Sequence, residues 1–207
     1  MFDLKIVNGT IVDGTGAARF QADLAINGEK IVAIGDLKNE DAKVTIDATG
    51  KMVSPGFIDF HTHSDLSILY DKYSRARIHS GVTTDVVANC GIGVAPIRDS
   101  RKDELIKYLS TRIIGTIPAP LELHWNTMEE YFDYVEKSTT AVNIVAYCAQ
   151  GPVRIDEMGF AKGDATPEQL EHMKAEVAKA MEAGCIGLTT GLVYLPGSYT
   201  SKEELAE

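Results

Sequence analysis

The sequence predicts an α/β protein: the first part of a (β/α)8 TIM-like barrel, preceded by the strands of a small β-sandwich domain. Two observations predict this fold. Short strands with frequent turn signals fill residues 1–53, and strands alternate with helices over residues 54–207. Alternation at this spacing is typical of parallel sheets whose helices form the crossovers. We therefore expect two domains, residues 1–53 and residues 54–207.

Two Asn-Gly pairs mark turns in the first domain. Asn8-Gly9 and Asn27-Gly28 each lie between two apolar, strand-forming segments. Asn-Gly in this setting is the strongest short hairpin signal, so each pair predicts a β-hairpin. Residues 45–47 and 51–53 predict further short strands. No catalytic constellation occurs in this region, and we expect it to be structural.

Four apolar segments after residue 53 predict the parallel strands of the barrel, and near-continuous apolar strands fit a sheet covered on both faces. The predicted strands are the segment that leads into His61 and residues 82–88, 143–148 and 185–191. The predicted helices are residues 71–79, most of 99–139 with a break at Pro118-Ala119-Pro120, and the segment from Pro167 to Gly184. The last of these begins with a capping box, Thr166-Pro167-Glu168-Gln169, which has proline at the first helical position.

A second capping box, Ser201-Lys202-Glu203-Glu204, starts a helix only a few residues before Glu207. A helix this short is not stable by itself. We therefore expect the chain to be truncated at about four of the eight strands of a barrel. The alternative that the residues leave open is a complete, open four-stranded sheet.

Composition and charge exclude several classes of protein. A hydrophobic content of 44% with 24% charged residues is ordinary for a soluble globular protein. The net charge of −10 argues against a nucleic-acid partner, and no apolar segment approaches the ~20 residues of a membrane span. The three cysteines are odd in number and far apart, which favours a reducing cytoplasm over a disulfide framework. We expect a cytoplasmic protein without membrane partners; no feature predicts its oligomeric state.

An HxH pair, His61 and His63, follows the first barrel strand. Alternate residues of a strand face the same side about 6.5–7 Å apart, so both imidazoles would point one way. Residues 57–60 predict a buried strand, and functional sites of parallel barrels form at the carboxyl ends of the strands. We therefore predict that this pair binds a metal ion. Asp65 either orients a ligand through a hydrogen bond or is a helix-start carboxylate.

Cys90 follows the predicted strand 82–88, so it falls at the same edge of the sheet, one strand over. A thiolate is a strong zinc ligand with a bond of about 2.3 Å, whereas a lone cysteine is commonly a small buried apolar residue. The neighbouring Gly91 indicates a bend in the backbone, which favours the ligand role. Cys148 and Cys185 lie within or before apolar strands, and we expect them in the core.

Several of these segments resemble a known family. Residues 53–63 resemble the first barrel strand of the amidohydrolase superfamily, and residues 8–13 and 31–35 resemble its small β-sandwich domain. Within the superfamily, residues 81–92 and 186–197 resemble the N-acyl-D-amino-acid deacylase (D-aminoacylase) family. The resemblance covers nearly all of the chain.

The resemblance implies zinc-dependent hydrolysis of N-acyl-D-amino acids, small molecules that would release a carboxylate and a free D-amino acid. It implies that His61 and His63 bind a weakly held metal, and that Cys90 binds a tightly held Zn2+; whether one or two ions are needed stays open. It also implies that Tyr194 helps to hold the substrate's α-carboxylate. The further zinc histidines and the catalytic aspartate of the family would lie beyond Glu207. We therefore expect the 207-residue chain alone to be inactive.

Two other functions stay open. A cyclic amidase of the dihydroorotase or hydantoinase kind shares the HxH strand, but it bridges two metals with a carbamylated lysine, and no lysine ends the strands predicted here. A metal-binding protein that has lost the chemistry would carry the same residues. Residues 146–151 stand where the family often has a Gly-His turn, which leaves substrate contacts from the third strand open. His79, His124 and His172 are expected in solvated or packing roles.

Overall fold

The computed structural model describes residues 1–112 and 121–207. It divides into two compact units, Met1–Gly56 and Phe57–Glu207. The predicted break at Pro118-Ala119-Pro120 lies outside the described residues. In the part of the chain that is described, no helix combines the length and the apolar character needed to cross a bilayer.

The first unit is built on a five-stranded sheet of mixed direction. Its strands are β1 (Phe2–Ile11), β2 (Phe20–Asn27), β3 (Lys30–Gly35), β4 (Ala42–Asp47) and β5 (Met52–Val53). β1 lies at the centre, antiparallel to β2 and parallel to β4 and β5. β3 completes the sheet as the antiparallel neighbour of β2. The short strands predicted for this region are therefore present and share one sheet.

One of the two predicted hairpins is confirmed and the other is wrong. Asn27-Gly28 joins the antiparallel strands β2 and β3. Asn8-Gly9 instead lies inside β1, where the register with β2 shifts and Asn8 has a φ of 62°. The Asn8 N–H bonds the Asp23 carboxylate at 2.9 Å, and a Cβ on Gly9 would lie 2.6 Å from Val53 Cγ2. The Asn8-Gly9 pair therefore lies in a β-bulge. Like a hairpin turn, a bulge favours a left-handed residue and glycine.

The second unit contains short parallel strands. They are β6 (Phe57–Asp59), β7 (Val82–Val87), β8 (Asn143–Ala146), β9 (Cys148–Ala149) and β10 (Leu188–Thr189). One sheet has the order β6-β7-β8, and β9 pairs with β10. Every pairing among them is parallel, which confirms the parallel α/β organisation predicted from the alternation of elements.

Helices connect these strands. They are α1 (Ser67–Tyr70), α2 (Arg75–His79), α3 (Lys102–Arg112), α4 (Met128–Ser138), α5 (Gln150–Met158), α6 (Pro167–Glu182) and α7 (Lys202–Ala206). The capping box predicted at Thr166 is confirmed, because its hydroxyl and the Gln169 side chain bond each other's backbone N–H. α2 begins later than predicted. α5 was not predicted at all, since its residues follow directly on the apolar third strand.

Three strand predictions need correction. The first strand ends at Asp59, before the histidines, and it is not buried: Phe57, Ile58 and Phe60 are 51–65% exposed. It lies at the edge of the described sheet, with β7 as its one neighbour there. The third strand is interrupted at Tyr147, and the fourth is reduced to β10.

The core of the second unit joins the sheet to the helices. Trp125 is 1% exposed, and its indole N–H donates to the Val94 carbonyl at 2.9 Å. The rings of Trp125 and Tyr131 lie 5.2 Å apart, and the Tyr131 hydroxyl donates to the Asp65 carbonyl at 2.8 Å. This aromatic group therefore fixes the segment that follows the histidine pair. Cys148 and Cys185 are buried in the same core, as predicted.

Candidate metal centre

His61 and His63 lie in a turn directly after β6 rather than on the strand. Their ring centroids are 5.6 Å apart and the ring planes meet at 75°. His61 is exposed and His63 is partly buried. The strand geometry predicted for the pair is therefore wrong, yet the two imidazoles remain close neighbours because the turn is short.

Cys90 lies in a tight 3-10 turn, Asn89–Gly91, directly after β7. Ala88 and Cys90 both have left-handed backbone conformations, with φ values of 62° and 58°. For residues with a Cβ this conformation costs about 1–2 kcal/mol each, so surrounding contacts must hold the turn. The result is that Cys90 Sγ lies 3.2 Å from His61 Nε2.

The donor atoms of His61, His63 and Cys90 fit a zinc ion. They all lie within 4.8 Å of one another, and two ligands on one tetrahedral zinc would be about 3.6 Å apart, given bonds of about 2.3 Å to sulfur and 2.1 Å to nitrogen. His63 Nδ1 is buried without a hydrogen-bond partner among the described residues. Burial, followed by the charge of His61, lowers the pKa of His63. That shift favours the neutral imidazole, which is the form that binds metals.

Hydrogen bonds tie the histidine turn to the cysteine turn. The Thr62 N–H and hydroxyl both donate to the Val86 carbonyl at 3.1 Å. The Asn89 side-chain amide donates to the same carbonyl at 2.9 Å and to the Thr62 carbonyl at 3.4 Å. Because Thr62 separates the two histidines and Asn89 precedes Cys90, these bonds fix the candidate ligands relative to one another.

Two buried carboxylates support the same turns. Asp65 is 1% exposed and accepts the Ala88 N–H at 2.9 Å, and burial raises the pKa of Asp65 to about 7. Asp85 is fully buried and accepts the Ser64 hydroxyl at 2.7 Å, with Arg77 Nε at 3.3 Å. Asp65 therefore bonds the turn that leads to Cys90, rather than a histidine or the first turn of a helix.

Two glycines allow the loop after β10 to approach Cys90. A Cβ on Gly191 would lie 1.9 Å from the Cys90 carbonyl oxygen, and a Cβ on Gly91 would lie 2.7 Å from the Gly191 nitrogen. Such contacts would displace the backbone, so only glycine fits at either position. The same loop carries Tyr194, whose ring packs against Gly191. The structure thus places the loop of the predicted substrate residue against the cysteine turn.

Arg112 is a residue near this site that the sequence did not reveal. Its guanidinium lies 4.6 Å from the centre of the Tyr194 ring and 5.6 Å from that of Tyr108. The Tyr108 hydroxyl donates to the Gly91 carbonyl at 3.2 Å, and burial is the main reason that the pKa of Tyr108 rises to about 12. Within residues 1–112 and 121–207, no carboxylate pairs with Arg112. An arginine at the end of a helix is typical of a cation that interacts with the helix dipole. The sequence around Arg112 therefore did not predict a role at the site.

The other histidines lie in the roles predicted for them. His79 is exposed in α2 and His172 is exposed in α6, where its Nδ1 lies 3.6 Å from Glu157. His124 is exposed and stacks on Tyr134 with a centroid separation of 5.4 Å. Among the described residues, none of these three joins a group of potential metal donors.

Comparison with known proteins identifies the family. The model of the amidohydrolase family matches residues 44–206. The chain belongs to the amidohydrolase family. This amidohydrolase chain is 33% identical to a D-aminoacylase and 34% identical to an N-acyl-D-glutamate deacylase, both from Alcaligenes xylosoxydans xylosoxydans. The alignments cover 100% and 98% of the chain, but the chain spans only 41% and 40% of these curated relatives.

Solved structures agree with the sequence relatives. The amidohydrolase chain superposes with a TM-score of 0.84 on the N-acyl-D-glutamate deacylase of Bordetella bronchiseptica, which was solved with zinc and a phosphonate inhibitor. The identity is 33%, over 99% of this chain and 41% of that one. This similarity confirms the predicted fold class, a partial amidohydrolase barrel with the strands of a small β domain.

Proposed function

We propose that this amidohydrolase chain contributes to an enzyme that hydrolyses N-acyl-D-amino acids to a carboxylate and a free D-amino acid. The observation that carries the proposal is the convergence of His61, His63 and Cys90 within 4.8 Å. Full-length similarity to relatives that deacylate N-acyl-D-amino acids supports the substrate class. Hydrolysis adds one water across the amide: the C–N bond breaks, the acyl carbon gains oxygen and the amine gains a proton.

The proposed cofactor is Zn2+: the Cys90 thiolate would hold a tightly bound ion, and the two imidazoles would line an adjoining, more weakly held position within 4.8 Å. Zn2+ bound there would polarise the amide carbonyl and lower the pKa of water toward neutrality. The chain itself contributes the donor set and its rigid support. No residue of this chain is proposed as the general base, because Asp65 and Asp85 are buried and bonded to Ala88 and to Ser64 and Arg77.

Tyr194 and Arg112 are proposed to orient the substrate's α-carboxylate. The Tyr194 loop packs against the Cys90 turn, and the Arg112 guanidinium stacks on the Tyr194 ring. A fixed positive charge beside the tyrosine complements a carboxylate, and guanidinium matches carboxylate geometry better than an ammonium group does. Positioning of this kind would hold the D-amino acid portion of the substrate near the proposed metal.

A hydrolysis assay with two chain lengths tests the proposal. The zinc-loaded 207-residue chain and, where the reading frame continues past Glu207, its full product are supplied with N-acyl-D-amino acids, N-acyl-L-amino acids and hydantoins. We expect the D-substrates to be cleaved by the longer product. We expect negligible turnover by the 207-residue chain, because none of its described residues is placed to act as the general base. Activity confined to cyclic ureides would overturn the proposal in favour of a cyclic amidase.

A cysteine substitution tests the metal centre directly. Cys90→Ala removes one of three donors, so we expect at least about 10-fold weaker Zn2+ binding by isothermal titration. Cys185→Ala is the matched control, because Cys185 is buried in the core and joins no group of potential metal donors among the described residues. Unchanged zinc affinity in Cys90→Ala would remove the thiol from the site.

A further inference from the structure

A single hydroxyl from a distant strand bridges the turn that carries Cys90. Thr189, in β10, donates its hydroxyl hydrogen to the Ala88 carbonyl at 2.5 Å. The same oxygen accepts the Gly91 N–H at 3.2 Å. The two bonded peptide groups lie on either side of Asn89-Cys90, so one side chain closes the turn at both ends.

The turn needs such a closure because its backbone is strained. Ala88 and Cys90 are left-handed although neither is glycine, and residues in this conformation persist only where their surroundings hold them. Neighbours hold one end of the turn: Asp65 accepts the Ala88 N–H, and the Asn89 side chain bonds Val86 and Thr62. At the far end, the Gly91 carbonyl accepts the Tyr108 hydroxyl, and the Gly91 N–H is bonded by Thr189 from about one hundred residues away in sequence.

We infer that Thr189 is a positioning residue for the Cys90 thiol. Its hydroxyl satisfies both peptide groups and keeps Cys90 in the left-handed conformation that presents Sγ to His61 Nε2 at 3.2 Å. Both hydrogen bonds of the Thr189 hydroxyl go to backbone groups of the turn, so its action on the thiol is indirect. The expected effect of Thr189 on metal binding rests on the proposed metal centre. Its expected effect on the conformation of the turn does not depend on a metal.

Three variants distinguish the effect of the Thr189 hydroxyl from the effect of side-chain shape and of a substitution at a neighbouring position. Thr189→Val keeps the shape of the side chain and removes both hydrogen bonds, and Thr189→Ser keeps the hydroxyl. Thr190→Val is the matched control, because Thr190 is the exposed neighbour and its hydroxyl bonds no described residue. Circular dichroism verifies that each variant folds; if valine distorts β10, Thr189→Ala replaces it in the same comparison.

The first measurement is Co2+ binding by the 207-residue chain, followed through the thiolate-to-cobalt charge-transfer band. Loss of a residue that positions a ligand typically weakens metal binding by about 10–100-fold. We expect that loss and a weaker band in Thr189→Val, with wild-type behaviour in Thr189→Ser and Thr190→Val. Co2+ affinity and band intensity in Thr189→Val equal to the wild type would overturn the inference.

The second measurement is hydrogen exchange of the Gly91 amide in the metal-free chain. It tests the role of Thr189 in the turn independently of the proposed metal centre. The Gly91 amide loses its acceptor in Thr189→Val, so we expect its hydrogen exchange to accelerate by about 10-fold or more, with rescue by Thr189→Ser. Unchanged Gly91 exchange in Thr189→Val would also overturn the inference. If the wild-type chain shows no charge-transfer band, the proposed metal centre is contradicted. The role of Thr189 in holding the turn would then be judged from the hydrogen exchange of Gly91 alone.

Discussion

At the scale of single residues, Arg112 connects the helix α3 to the loop after β10. Its guanidinium lies over the ring of Tyr108 at 5.6 Å and over the ring of Tyr194 at 4.6 Å. A cation over an aromatic ring contributes about 0.5–1 kcal/mol at exposed sites. That is too little to explain by stability alone a charge that no carboxylate of the described residues pairs with. A substrate carboxylate is the partner that the proposed function supplies.

Substitution of Arg112 tests this role in the longer product of the hydrolysis assay, if that product cleaves N-acyl-D-amino acids as proposed. Arg112→Met removes the charge and keeps much of the apolar stem, so we expect KM for N-acyl-D-amino acids to rise about 10-fold or more. The value of kcat should change much less, because the charge binds a part of the substrate that does not react. Lys107→Met, which removes a charge from the same helix, is the control. Equal KM values for Arg112→Met and the wild type would contradict the role.

The sequence predicted the three candidate ligands because each follows an apolar strand directly, and the carboxyl ends of parallel strands meet at one edge. Thr189 and Arg112 could not be found this way. Thr189 bonds a turn about one hundred residues away in sequence. The pattern of its own segment predicts only an apolar strand. Arg112 has Tyr108 as a local neighbour on its own helix, but it meets Tyr194 only in the folded chain, and no spacing in the sequence relates those two residues.

At the scale of elements, local hydrogen-bond chemistry decided which predictions were correct. The capping box of α6 is satisfied by residues three apart, so sequence alone specifies it. The Asn8-Gly9 pair signals a left-handed backbone, which occurs both in hairpin turns and in bulges. Distant partners, Asp23 and Val53, select the bulge. Strand lengths were overestimated for a related reason: an apolar segment does not reveal where its pairing partner ends.

The cap of α6 makes a quantitative prediction. Thr166→Ala removes the acceptor of the Gln169 N–H, and loss of such a cap costs about 1 kcal/mol of unfolding free energy. Urea denaturation followed by circular dichroism measures the difference. Ser198→Ala, at an exposed serine whose hydroxyl bonds no described residue, should stay within about 0.5 kcal/mol of the wild type. Equal stability of the two variants would show that the cap is replaced by water.

At the scale of the whole molecule, a buried ion pair joins distant parts of the second unit. The Arg154 side chain in α5 is fully buried and pairs with Glu204 in α7, whose side chain is 7% exposed. Arg154 also donates to the Gly163 carbonyl. This pair fixes the segment that follows the Tyr194 loop to the helix after the third strand.

Removing one charge of this pair should lower the unfolding free energy more than replacing both charged residues by apolar ones. Arg154→Met leaves Glu204 buried without a partner, and we expect a loss of about 3–5 kcal/mol in unfolding free energy. The double variant Arg154→Met with Glu204→Leu removes both charges and should recover most of that loss. A double-mutant cycle from urea denaturation measures the coupling. A double variant as unstable as the single one would show that packing, not charge, explains the effect.

The burial of Trp125 has a practical consequence for such measurements. It is the only tryptophan in the sequence, it belongs to the second unit and it is 1% exposed. Its fluorescence emission, excited selectively, therefore reports the unfolding of that unit without a contribution from Met1–Gly56. Circular dichroism reports both units together. Coincident transitions by the two probes would identify a single cooperative unit, and separated transitions would give each unit its own stability.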